Sequence, residues 1–353
     1  LPAGEVLAER LANQRLTGPL AEHPVQVVRE LLAVQAQDAP VARAMIALRS
    51  GTTQAEVLRA VAAGEVVRTH VLRPTWHYVA AADLRWLLAA TSAKVEAGLA
   101  SRHRQLSLDA AAIEAGLAVI EKQLRGRTFA NRTELGAALI SSQVVPTDAL
   151  KGQRVGHLLL IAELRALICS APLDSAEHHY GLVEEVVPPS PSRPRPEALA
   201  ELVTRFCTGH GPVALSDLNR WAGITGSEAR TVLPASGLDS IQIDGHELWR
   251  SPTPLPQTRP AEALLLSTFD EAFLSYHKLG WPRSPGHPLG EAPYTFAQTS
   301  GGVVLWRLTD VGSWRGLRRS GRLSIEFTLD TNLPKRARAQ IERAGDNLAA
   351  VMA

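Results

Sequence analysis

The fifty-odd residues between two proline-rich stretches constrain the fold most. Residues 188–196 (PPSPSRPRP) and 251–260 (SPTPLPQTRP) make poor helix or sheet, because proline fixes φ and carries no backbone N–H. The segment between them must therefore close largely on itself. Ala198, Leu199, Leu202 and Phe206 recur with helical spacing until the run from Gly209 to Pro212 stops that helix. A short helix follows through Leu215, Leu218 and Trp221, and Gly223 turns the chain. Thr225 and Glu228 form a T-x-x-E capping box that opens a third helix through Ala229, Val232 and Leu233. Residues 240–243 (SIQI) then alternate in period two, Asp244-Gly245 supplies a type I′ hairpin turn, and residues 246–249 return. Helix, helix–turn–helix and β-hairpin in this order is the winged-helix plan.

The same grammar recurs on either side. Helices fit residues 4–16 and 24–33, with Pro24 placed at a first turn; Thr53 and Glu56 make another capping box, and Gly64 closes that helix. Two β-rich runs, 66–72 and 75–79, meet at Arg73-Pro74 as a wing would. A looser copy spans 109–187, with Asn131 and Glu134 capping one helix and residues 155–168 forming a long apolar one. The tail differs: residues 324–329 (SIEFTL) alternate, 303–308 suit the return arm of a hairpin, and a last helix carries Ala337, Ile341, Ala344 and Leu348 on one face. The expected fold is α+β, three tandem winged-helix units with a small C-terminal β-rich segment. The expected boundaries are 1–100, 101–187, 188–250 and 251–353. The repeat is architectural, since no stretch of sequence identity relates the copies.

With 45% hydrophobic and 20% charged residues, the chain can bury a sizeable core. Its longest apolar run, 157–168, is interrupted by Glu163 and Arg165 and falls short of the roughly 20 residues a membrane helix needs. The N-terminus has no charged region leading into an apolar one, and two cysteines, Cys169 and Cys207, cannot form a disulfide framework or a four-thiolate zinc site. A reducing, cytoplasmic and nucleoid-associated setting is expected, without a membrane. There is no G-x-x-x-x-G-K-[ST], G-x-S-x-G, H-E-x-x-H or C-x-x-C, which argues against P-loop ATPases, α/β-hydrolases, zincins and zinc ribbons. His178-His179 has no carboxylate at ligand spacing, so no metal and no cofactor is expected. The net charge of +2 does not decide for or against a polyanion, but arginine outnumbers lysine 32 to 5, a bias that either suits phosphate recognition or follows genomic base composition.

One segment stands apart from its surroundings. Val34-Gln35-Ala36-Gln37-Asp38 follows a periodic helix and precedes Pro40, which pushes Ala39 out of the helical region. Residues two apart lie on opposite sides of a helix but on the same side of an extended segment, so Gln35 and Gln37 can present their amides together. Such a pair could hold a water, a base edge or a sugar oxygen, or merely cap neighbouring backbone groups.

The run VQAQDAPVARAMIALRSG (34–51), followed by VVRTHVLRPTWHYVAAADLRWLL (66–88), resembles the AlkZ-type DNA glycosylases, the winged-helix family that unhooks azinomycin-type interstrand crosslinks. Further matches are LLLIAELRALICSAP (158–172), LAELVTRFCTGHGPVALSDLNRWAGI (199–224), LLLSTFDEAFLSYHKL (264–279) and GGVVLWRL (301–308), so the resemblance spans nearly the whole chain in order. Pro74 stands where the family more often has glycine, and Cys207 where an aromatic is common. The resemblance implies three tandem winged helices and places the family's glutamine–hydrophobe–glutamine motif on Gln35, Ala36 and Gln37, making the two glutamines the expected catalytic pair.

The implied reaction is hydrolysis of the N-glycosidic bond of an N7-alkylated purine in double-stranded DNA carrying bulky or cationic adducts, by a monomeric enzyme. Such a base is already cationic and leaves neutral, so little general-acid help is needed; two amide oxygens can orient water beside the developing sugar cation. Asp38 is the candidate base. No lysine precedes Lys94, so no Schiff-base lyase step is suggested. Arg68, Arg73 and His77 flank the first wing and are expected to reach the DNA backbone, as are Arg315, Arg318 and Arg319, which with Arg322 fall in WRGLRRSGR (314–322). The competing reading is a non-catalytic winged-helix DNA-binding protein or transcriptional regulator. Against it, no strongly basic recognition helix is present.

Overall fold

The computed structural model describes residues 2–173, 175, 177–191, 193–260, 262–277, 280–288, 301–319 and 322–353. The fold is α+β, helices with small antiparallel sheets, and it divides into two compact units. One joins Leu1–Val57 to Val203–Ala353; the other is the continuous stretch Leu58–Leu202.

In the first unit the chain begins with the helices Ala3–Asn13 and Pro24–Glu30, the second opened by Pro24 at its first turn. An extended pair, Val34–Gln35, leads into the helix Ala39–Ser50. The helix Arg195–His210 arrives with its last turn against the end of Pro24–Glu30. A Cβ on Gly209 would stand 2.3 Å from the carbonyl oxygen of Glu30, so glycine alone permits that approach. Leu215–Ala222 follows and ends at Gly223 with φ +70°. The box expected at Thr225 forms as written: its hydroxyl accepts the Glu228 N–H, and the Glu228 carboxylate accepts the Thr225 N–H at 2.8 Å. The helix Gly226–Val232 and the hairpin Asp239–Ile243/His246–Arg250 complete the predicted order, with Asp244 and Gly245 both at positive φ (47° and 76°).

The C-terminal part of this unit is a four-stranded antiparallel sheet in the order Arg322–Leu329, Thr309–Arg319, Gly302–Trp306, Ala263–Ser267. The strand expected as the return arm of a hairpin is an inner strand, paired on both sides. Its continuous buried run Gly302 to Leu305 fits a strand covered on both faces. The helix Lys335–Met352 packs on the sheet through Ala337, Ile341 and Leu348; Ala344 is only half-buried, and Gly345 takes the place beside Phe327. A third proline-rich stretch, residues 281–293 (WPRSPGHPLGEAP), is described only as far as residue 288.

The second unit contains the hairpin Val66–His70/Trp76–Ala80, in register Val66 to Ala80 and His70 to Trp76. Its helices include Leu84–Gly98, Ala110–Leu124, Arg132–Ser141 and Lys151–Leu164. Asn131 and Glu134 form the expected capping box. The long apolar helix stops at Leu164, earlier than its periodicity predicts. Ala166 turns left-handed (φ 55°), and Ile168–Ser170 becomes a strand beside His179–Leu182, burying apolar side chains in a sheet instead. Leu117, Ile120, Leu135, Leu158 and Ile161 share the core of this unit. Among the described residues no helix is long and apolar enough to cross a membrane.

Candidate active site

The helix before the glutamine segment ends at Glu30, three residues sooner than its pattern suggests, and Leu32 takes φ +64° although its side chain is wholly buried. That left-handed residue turns the chain from helix to extended backbone, a conformation costly for a non-glycine residue and sustained by the packing around it. Val34–Gln35 is extended as expected, but only for two residues. Ala36 is buried and a bend follows, so the alternation does not carry through: Gln35 is 7% exposed, whereas Gln37 lies on the surface. Asp38, also exposed, caps the next helix, its Oδ1 accepting the Val41 N–H at 3.3 Å.

Two buried carboxylates from a distant part of the chain hold this segment and the helix that follows it. Asp270 caps the short helix Glu271–Leu274 and pairs with Arg49 of the helix Ala39–Ser50 through two bonds, 2.7 and 2.9 Å. Both side chains of that pair are buried, so removing one would leave an uncompensated charge, a loss of about 3–5 kcal/mol. The next residue, Glu271, is 1% exposed. Its Oε1 accepts the backbone N–H of Gln35 at 2.9 Å, and its Oε2 accepts the indole N–H of Trp221 at 2.7 Å. Ser275 Oγ lies 3.2 Å from the same Oε2 and 2.8 Å from His210 Nδ1. The His210 Nε2 lies 3.1 Å from the carbonyl oxygen of Leu31. A carbonyl only accepts, so Nε2 carries the proton. The ring stacks on Phe206 at 4.6 Å, and Tyr276 donates its hydroxyl proton to the His210 carbonyl at 2.8 Å. None of Arg49, His210, Trp221, Asp270, Glu271 and Ser275 is singled out as functional by sequence reasoning. The resemblance covers them, but nothing in their spacing links Arg49, 14 positions from Gln35, or the others, some 170 to 240 positions from it, to the motif.

Burial is the main reason His210 is held down to about 4, with the Leu31 carbonyl opposing and Arg49 assisting. Burial likewise lowers His157 to about 4, His178 to about 3 and His77 well below the ordinary value. The native chain therefore binds fewer protons than the unfolded chain from about pH 6.5 downward, and stability falls as pH falls through that window. For His210 alone the loss by pH 4 is up to about 3 kcal/mol, at roughly 1.4 kcal/mol per pH unit. Thermal or urea unfolding followed from pH 7 to pH 4.5 should show a continuous decline; an unchanged midpoint over that range would contradict it.

The first-wing residues belong to the second unit. Arg68 lies over the Trp76 ring at 4.2 Å and 3.3 Å from His178 Nδ1, half-buried. Beneath it, wholly buried Glu163 sits 2.5 Å from His70 Nδ1 and accepts the Trp76 indole N–H at 3.3 Å. Arg73 is half-buried, 3.2 Å from His77 Nε2. His77 itself is completely buried and neutral at pH 7, so its ring supports Arg73 and does not face solvent.

In the arginine-rich stretch of the tail, residues up to Arg319 belong to one strand and Arg322 opens the next. Arg315 is exposed opposite Glu326 in the register and donates to it at 2.8 and 3.1 Å; Arg318, also exposed, donates to the Met352 carbonyl at 3.3 Å. The strand ends at Arg319; its side chain and that of Arg322 lie outside the described residues. Among the described residues no group of three or more His, Cys, Asp or Glu side chains is placed to hold a metal ion.

Across residues 28–351 the chain matches the model of the AlkZ-like DNA glycosylases, and it belongs to that family, whose members act on DNA. The structure of the Streptomyces sahachiroi DNA glycosylase AlkZ has the same fold: the TM-score is 0.76, 19% of aligned residues are identical, and the match covers 100% of this chain and 98% of that one. No curated protein sequence matches the chain.

Proposed function

We propose that this glycosylase hydrolyses the N-glycosidic bond of N7-alkylated purines, azinomycin-type interstrand crosslinks included, as a monomer and without a lyase step. The observation that carries the reading is an exposed amide, Gln37, two residues beyond a buried one, Gln35, on a segment whose backbone is tied to Glu271. Gln37 is at the surface, where a lesion can reach it. Gln35, two residues earlier and buried, has its backbone N–H bonded to Glu271. Together they orient a water toward C1′ and set amide oxygens beside the sugar as it gains positive charge. The motif's carboxylate, Asp38, is engaged in capping the next helix, which leaves amides to do the work; this suits a leaving base that already carries positive charge. Glycosidases that expel neutral leaving groups use paired carboxylates instead. Arg68, Arg73, Arg315, Arg318 and Arg319 are the proposed backbone contacts, with His77 behind Arg73.

The direct test is incubation with a duplex carrying a single N7-methylguanine, then with a crosslinked duplex. The expected result is sites that break on alkali treatment and not before it. A gel shift with no alkali-labile sites would identify a binder instead, and breaks before alkali would reveal a lyase step.

Neutralising Arg315, Arg318 and Arg319 together should weaken DNA binding and flatten its salt dependence. Each lost phosphate contact removes about 0.9 from the slope of log affinity against log salt. Because Glu326 already offsets Arg315, the expected reduction is between about 1 and 3. An unchanged slope would remove this hairpin from the interface.

A further inference from the structure

We infer that Glu271 is a positioning residue for the glutamine segment, part of a buried cluster that grips the backbone on both sides of the Leu32 turn. The inference rests on the glycosylase reading above, since it assigns Glu271 a part in the same reaction. Upstream of the turn, the Leu31 carbonyl accepts from His210 Nε2 at 3.1 Å. Downstream of it, the Gln35 N–H donates to Glu271 Oε1 at 2.9 Å. Ser275 lies between the two ends, its Oγ 2.8 Å from His210 Nδ1 and 3.2 Å from Glu271 Oε2. The hydrogen-bond polarity of the cluster is fixed. With Nε2–H facing a carbonyl and the ring neutral, Nδ1 must accept, so the single Ser275 hydroxyl proton goes to it. The 3.2 Å approach of Ser275 Oγ to Glu271 Oε2 is a close contact without a proton of its own. Glu271 in turn faces an N–H with each oxygen, Gln35 on one side and Trp221 on the other.

That polarity makes the isosteric change informative. In Glu271→Gln one oxygen becomes an NH2, and whichever way the amide turns, it sets N–H against N–H, either at Gln35 or at Trp221. Turned toward Gln35, it pushes the segment out of place. Trp221→Phe removes the indole donor. In the double variant the amide NH2 can therefore take the Trp221 side, donate to Ser275 Oγ, and return its carbonyl oxygen to the Gln35 N–H. A residue that only fills space gains nothing from the second change, because Phe in a pocket shaped for Trp221 loosens the core further.

The experiment measures single-turnover release of N7-methylguanine, the Kd for the same duplex and hydrogen–deuterium exchange of residues 31–37. It compares wild type, Glu271→Gln, Trp221→Phe/Glu271→Gln and Gln37→Ala. The expected result for Glu271→Gln is at least a tenfold slower release at unchanged Kd, with faster exchange confined to the segment. The double variant should recover most of both losses. A Glu271→Gln protein as fast as wild type beside an inactive Gln37→Ala protein would overturn this inference alone. So would a slow Glu271→Gln protein whose exchange rises throughout the unit and whose rate the second change does not restore. A Gln37→Ala protein at wild-type speed would overturn the glutamine assignment and this inference with it.

Discussion

Replacing Gln37 with alanine should slow base release by roughly 10²- to 10⁴-fold, the range that positioned polar catalysis supplies, while leaving stability within about 0.5 kcal/mol of wild type. The side chain is exposed, so truncating it removes little packing. The matching change at Gln35 should behave differently. That residue is 7% exposed, so truncating it disturbs buried packing, a cost of about 0.5–3 kcal/mol on top of the lost rate. Single-turnover kinetics and urea unfolding on the two variants separate the roles: one loses rate alone, the other rate and stability. Near-normal rates in both would remove the glutamines from the chemistry.

Changing the lesion should matter as much as changing the enzyme. A base alkylated at N7 departs as a neutral molecule, whereas uracil or 8-oxoguanine departs as an anion unless an acid protonates it. Within the glutamine segment the available carboxyl, Asp38, is turned to its helix, accepting from Val41. Uracil excision should therefore lag N7-methylguanine excision by about 10²- to 10⁴-fold, the usual worth of acid–base assistance and about 3–5.5 kcal/mol of barrier. Matched duplexes differing only at the lesion give the comparison. Comparable rates would mean that a general acid operates, and Asp38→Asn would be the first variant to examine.

Local grammar was legible in the sequence wherever one short rule governs. The Thr225–Glu228 and Asn131–Glu134 boxes, the Asp244-Gly245 turn and the Gly223 stop all form as written, because each depends on atoms within four residues. The extended backbone at Val34–Gln35 was legible too, from the break in helical periodicity. Its support was not. Glu271 reads as an ordinary acidic residue opening a short helix, and its role follows from a Gln35 partner 236 positions away. Periodicity also misplaced the end of the 155–168 helix, since an apolar run serves a buried helix and a buried strand equally well and the competition is decided by the sheet it joins.

The division of the first unit into Leu1–Val57 and Val203–Ala353 has a consequence for the order of events during translation. The glutamine segment emerges more than two hundred residues before Glu271, which holds it, and before Asp270, which holds the helix that follows it. At the usual pace of about 5–20 residues per second, the nascent chain carries an unsupported segment for ten seconds or more. The intervening stretch Leu58–Leu202 is continuous and can mature on its own in that interval. Closing so long a loop is entropically slow, so the N-terminal apolar helices stay exposed for longest. A chain released before residue 271 would therefore contain both glutamines and still lack the anchors that shape them into a site.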